Sequence, residues 1–249
     1  MRWPRLLLHP PPQSKLQNMP LFRINNSVIL FVHVPKTGGS SIENHLSKFG
    51  RAALITNNDH DWPRCNAQHM DAKSYARIIP KDFYDYGFMV VRNPFDRIVS
   101  EYRMRYRDHA AASRRIKDFP EWVEGTLRRY RRDHYLLDNH IRPQAEFFSE
   151  GLEVFRLEEG LSKVLERIGV VVGADLAAGV PSEKVSDPIG FKVSAKCAAL
   201  IRSFYRTDFK QFGYDDDPRY LLRKDGAEIV GDSSKYFRLI QYYAKKGVG

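Results

Sequence analysis

Cysteine is nearly missing: Cys65 and Cys197 are the only two in 249 residues. They form neither a metal-ligand spacing nor a disulfide framework, which suits a reducing compartment and leaves open only whether the two pair with each other. Long apolar runs are also lacking. The three leucines of MRWPRLLLHPPPQ are too few for a signal peptide or an anchor, and no stretch approaches the ~20 apolar residues of a spanning helix. The expectation is a soluble, cytoplasmic protein. The pattern G-x-x-x-x-G-K-[ST] does not occur, and no strand ends on a clear metal-binding aspartate, which disfavours a standard ATPase or GTPase. No internal repeat and no nucleic-acid reader motif is found either.

What is present fits a globular enzyme. Apolar residues make up 43% of the chain, enough for a sizeable core, and the net charge is +10. That charge favours polyanionic partners (nucleotides, nucleic acid, acidic glycans or an anionic membrane) without choosing among them. Residues 1–20 are Pro-rich and read as a loose arm. The run 28-VILFVHV-34 is nearly all apolar and β-branched, as in a parallel strand covered on both faces. A helix should follow from Gly39 to Ser41 onward, with Ser40 or Ser41 as N-cap. A second strand, 87-GFMVV-91, leads through 92-RNP-94 into a helix over 95–107, with Pro94 in its first turn. The repeated strand–turn–helix order argues for an α/β fold. Further expected elements are strands at 52–56 and 153–158, a short helix over 71–79 and helical structure over 119–150. Helices are also expected over 158–170 and 194–214, with a last one over 233–246.

The turn 35-PKTGGSS-41 carries chemistry. A strand feeding a helix through glycines directs backbone N–H groups and a helix N-terminus toward an anion. Gly38 and Gly39 allow the backbone to curl closely, Lys36 adds a charge, and Thr37, Ser40 and Ser41 add hydroxyls. In the second turn Arg92 ends a strand and Ser100 lies about two helical turns on; an arginine fork suits a phosphate. Read alone, the first turn is equally a tight turn with a solvated lysine, and the second a helix-capping ion pair.

Together, HVPKTGGSSI and VRNPFDRIVSEY resemble the 5′-phosphosulfate loop and the 3′-phosphate motif of sulfotransferases. The resemblance runs over roughly residues 28–214. It is strongest to the carbohydrate branch, sulfotransferase family 2, which includes heparan sulfate 2-O-sulfotransferases and related bacterial enzymes. Weaker matches follow in order at 69–79, 140–148, 153–170, 184–186 and 208–214. The resemblance implies a P-loop-like three-layer α/β/α sandwich with a central, mainly parallel sheet. It places the catalytic domain at 21–216, with 217–249 as an extension packed on or beside it. It implies 3′-phosphoadenosine 5′-phosphosulfate as donor and no metal, with Lys36, Thr37, Gly38, Gly39, Ser40 and Ser41 around the 5′-phosphosulfate. Arg92 and Ser100 would hold the 3′-phosphate, and Lys184 and Ser186 would close over the nucleotide.

The acceptor hydroxyl must lose a proton, and histidine is suited to that near neutrality. By position the contenders are His60, His69, His134 and His140; the family's base aligns with His69 in 68-QHM-70. The implied acceptor is a carbohydrate, a glycan or glycolipid, with His140, Arg142 and Gln144 as acceptor-side contacts. Residues 97–132 carry ten arginines and Lys117 against five acidic residues, which fits a groove for an anionic glycan or a solvated helix face equally well. The competing readings are a nucleotide-dependent kinase-like enzyme and a basic nucleic-acid- or polyanion-binding protein without catalysis.

Overall fold

A computed structural model describes residues 21–53, 64–111, 117–179, 190–224 and 227–229. The expected N-terminal arm, the helix over 233–246, His60, Lys184 and Ser186 lie outside the described residues.

The chain opens with a hairpin of β1 (Leu21–Ile24) and β2 (Ser27–Val32), followed by α1 (Gly39–Leu46) and β3 (Arg51–Ala53). Then come α2 (Ala72–Tyr75), β4 (Tyr86–Val91), α3 (Pro94–Ala111), α4 (Phe119–Tyr130), β5 (Glu153–Arg156) and α5 (Leu161–Val172). The rest comprises β6 (Phe191–Val193), α6 (Ala195–Phe204), α7 (Arg206–Phe212), α8 (Arg219–Leu222) and β7 (Ala227–Ile229). The main sheet has the order β3-β1-β2-β4-β5. β2, β4 and β5 pair in parallel and β1 is antiparallel to both its neighbours, so β1 alone is reversed. This is a mixed α/β fold with a central, mostly parallel sheet flanked by helices.

Side-chain alternation along β2 explains the layers, since successive residues point to opposite faces. Ile29 and Phe31 join a cluster with Ile42 and Leu46 of α1 and Val164, Leu165 and Ile168 of α5. Leu30 and Val32 join a cluster on the other face with Tyr75 of α2, Phe147 and Phe212. A third cluster packs α3 against α4, α6 and α8. Both apolar strands are therefore covered on both sides, which is why they read as continuous apolar runs.

Two expectations change, and the open question of cysteine pairing is answered. The long helix over 194–214 is broken at Tyr205, which is 1% exposed and donates its hydroxyl to the Ile141 carbonyl at 2.9 Å. The region after α4 is a series of turns with helix only in a short 3-10 piece at Gln144–Phe147, and Leu137, Asp138 and Asn139 all have left-handed backbone, with φ 54°, 58° and 63°. Burial of Asn139 and hydrogen bonds to neighbouring loops outweigh local helix propensity there. The cysteines are both free and buried, in separate clusters.

Candidate active site

The two turns singled out in the sequence lie side by side, because β2 and β4 are adjacent parallel strands that end in the same direction. In the first turn Lys36 has φ 71° and Gly38 φ 84°. A left-handed non-glycine residue costs roughly 1–2 kcal/mol and concentrates at functional sites. Gly38 itself is the N-cap of α1, with no side-chain cap, so neither Ser40 nor Ser41 fills that place. Ser40 is exposed and Ser41 half-buried. Thr37 is fully buried and donates its hydroxyl to the Val34 carbonyl at 2.8 Å, so its side chain braces the turn rather than facing a ligand. The two glycines are required for different reasons. Gly38 supplies positive φ; at Gly39 a Cβ would fall 2.1 Å from the His33 ring. The Lys36 ammonium has no ion pair among the described residues, where its hydrogen-bond partner is the Met104 sulfur at 3.3 Å.

In the second turn, the Arg92 guanidinium donates to the Lys36 carbonyl at 3.3 Å. The Arg92 backbone is clamped by Gln144, whose amide donates to the Arg92 carbonyl at 2.8 Å and accepts from its N–H at 2.9 Å. Ser100 is half-buried on α3. Arg97 is 2% exposed and ties three segments together. It donates to the carbonyls of Pro35, His140 and Arg142, each at 2.9 Å. Two expected acceptor contacts become scaffold. Gln144 is fully buried with its amide spent on Arg92. Arg142 is 6% exposed and engaged by Asp71, Glu146, Asn139 and the His134 carbonyl.

His69 and His140 come together beside these turns, with ring centres 4.8 Å apart and planes at 86°. Each has a carboxylate partner on Nδ1: Asp138 on His69 at 2.6 Å and Glu101 on His140 at 2.7 Å. His33 meets the other side of His69, with ring centres 5.0 Å apart. The His69 carbonyl accepts from Asn139, so the strained turn holds both the ring and its backbone. His134 packs on Tyr130, and His45 is buried against the Leu176 carbonyl.

A model of the sulfotransferase family matches residues 20–215. The chain belongs to the sulfotransferase family. Neither a search of curated proteins nor one of solved structures finds a match. The enzyme is thus a transferase of sulfuryl groups, and among its described residues no helix is long and apolar enough to cross a membrane.

The electrostatics of this sulfotransferase's site follow from burial and close charge partners. Burial pushes the His69 imidazole down to about 4, against the pull of Asp138 and with the help of His33 and His140. Burial resists ionisation of Asp138, but its bonds to His69 and Asn66 hold the carboxyl below its ordinary value. Burial likewise resists ionisation of Glu101, yet His140 and Arg105 bring it to about 2. The Lys36 ammonium is lowered by burial and by the arginines at 92, 107 and 105, and partly restored by Glu101. His69, Asp138 and His140 each offer an atom that could ligate a metal ion, all within 4.8 Å of one another, and His69 and Asp138 are bonded to each other. Asp138, Glu101 and Arg97 were missed in the sequence. The only local sign was the Asp-Asn pair at 138–139, two residues that tolerate left-handed backbone.

Proposed function

We propose that this sulfotransferase takes its sulfuryl group from 3′-phosphoadenosine 5′-phosphosulfate. It passes the group in line to a hydroxyl of a carbohydrate, a glycan or glycolipid, with His69 as general base. The observation that carries the reading is the 3.3 Å contact between Arg92 and the Lys36 carbonyl. It joins two turns that would otherwise be separate, which supports their acting on one ligand.

The residues present suit such a donor. The turn with positive φ at Lys36 and Gly38 and the N-terminus of α1 favour an anionic phosphosulfate. Lys36, free of any ion pair among the described residues, would face the bridging region, and Arg92 with Ser100 the 3′-phosphate. Lys184 and Ser186 keep the role implied by the resemblance. The donor supplies an activated sulfuryl group. As the acceptor oxygen bonds to sulfur, the bond from sulfur to the phosphate oxygen breaks, and the hydroxyl proton goes to His69 Nε2. Asp138 on Nδ1 fixes the tautomer that leaves Nε2 unprotonated beforehand, as in other carboxylate–histidine pairs. Lys36 stabilises the charge that grows on the leaving phosphate. His140, partly exposed beside His69, keeps its place on the acceptor side.

Two measurements test this. Calorimetry with 3′-phosphoadenosine 5′-phosphate should show stoichiometric binding that Arg92→Ala weakens; no heat of binding would exclude the donor. Radiolabelled sulfate should pass from the donor to glycans or glycolipids in a panel that includes phenols and tyrosyl peptides. Label confined to the phenols or peptides would exclude a carbohydrate acceptor.

A further inference from the structure

Donor turn and base stand on different elements, yet one side chain touches both. His33, one residue beyond β2, is 4% exposed. On one side it meets the loop: a Cβ on Gly39 would fall 2.1 Å from both Cδ2 and Nε2 of the ring, so the glycine backbone rests directly on that edge. On another side its centre is 5.0 Å from that of His69, with the planes at 78°. The ring is held from behind by stacking on Phe31, 5.6 Å away at 13°, and by a 2.9 Å bond from Nδ1 to Glu43 in α1.

This arrangement is a poor way to fill a core. Glu43 is 3% exposed, and its second carboxylate oxygen has no hydrogen-bond partner. A buried pair with an unmatched oxygen generally stabilises no better than apolar residues of the same volume. A reason other than stability is needed for an imidazole and a carboxylate at this place. In-line transfer provides one, because donor and base must be held at a set separation, and a misplacement of ~1 Å can cost ~10² in rate.

Building on the reading of His69 as general base, we infer that His33 is a positioning residue that sets the distance between the donor loop and the base. Gly39 rests on it, His69 abuts it, and Glu43 keeps the ring from turning. The catalytic group remains His69; His33 acts through it and through the loop.

The test is a double-mutant comparison on the full chain. His33→Asn keeps a nitrogen in place of Nδ1 for Glu43 and removes the edge that supports Gly39 and His69. It should lower kcat at least tenfold and raise the Kd for 3′-phosphoadenosine 5′-phosphate several-fold. Introduced into His69→Ala, it should cost no further kcat, since the positioned group is gone, while the effect on Kd persists. Glu43→Gln, which retains an acceptor for Nδ1, serves as a second and milder variant should His33→Asn melt early; its smaller kcat loss should likewise vanish in His69→Ala. Equal proportional losses of kcat in both backgrounds, or an unchanged Kd, would overturn the inference and leave His33 as core filling. Full turnover in His69→Ala alone would overturn the base reading and this coupling together, which separates the two failures.

Discussion

At the scale of single residues, the candidate site sets a buried imidazole near an ammonium that has no ion pair among the described residues. His69→Ala should leave binding of 3′-phosphoadenosine 5′-phosphate intact and reduce turnover by ~10²–10⁴, the usual contribution of a general base. Retained turnover would remove His69 from the mechanism. Because burial lowers this histidine from 6.5 to about 4, its base form persists far into the acid range. The acid limb of the pH–rate profile should therefore lie near 4 rather than near 6.5. The groups facing His69 are Asp138, His33 and His140, and Asp138→Asn should slow turnover by removing its orienting partner. The same shift affects stability with a definite sign. The folded pKa is below the unfolded one, so the unfolded chain takes up the proton first as pH falls. The contribution is present above 6.5 and is lost between 6.5 and about 4, by about 3 kcal/mol. Denaturant unfolding at the two ends of that window should show a smaller difference in His69→Gln than in the parent chain. Lys36→Ala should cut turnover by ~10²–10³, as for loss of one preorganised donor at a developing charge; a near-normal rate would exclude that role.

At the scale of elements, the strand ends and helix starts are shaped by close approach more than by propensity. Two glycines illustrate this. Gly39 has the His33 ring where its Cβ would be, while Gly125 in α4 has nothing within 4 Å. Gly39→Ala should weaken nucleotide binding at least tenfold, whereas Gly125→Ala should raise stability by about 0.5–1 kcal/mol, the gain expected for Ala in a helix interior. Calorimetry and denaturant unfolding check the two. The turn after α4 shows the opposite balance. Three consecutive left-handed residues are locally unfavourable, but they place Asp138 on His69 and Asn139 on its carbonyl. Buried Arg97 then joins this turn to the turn that begins at Pro35 through three carbonyls.

At the scale of the whole molecule, the folded unit runs past the end of the family match. Leu221 and Leu222 of α8 are 0% and 6% exposed and belong to the same cluster as Phe95 and Tyr205. Tyr220 and Lys224 both reach Asp96 in α3, and β7 pairs in parallel with β6. Burying two leucines contributes about 3–6 kcal/mol, a large part of a typical domain's stability. A chain cut after Asp217 should therefore melt far below the intact one; an unchanged melting temperature would mean that α8 is dispensable. Of the fold, the two apolar strands and their turns were legible because a strand buried on both faces leaves an unbroken apolar run. β1 was not, since LFRI is too short to show a period, and the break at Tyr205 was not, since it arises from a bond to Ile141.

By itself, the order of residues determined the α/β class, the two strand-to-helix turns and the family. Each rests on local pattern: apolar runs, glycines beside a lysine, and an arginine at a strand end. Tertiary structure alone decided that the turns adjoin and that Asp138, Glu101, His33 and Arg97 surround the histidines. It also decided that Arg142 and Gln144 are scaffold. The physical reason is distance along the chain. Asp138 lies 69 residues from the imidazole it orients, and only packing brings the two within 2.6 Å.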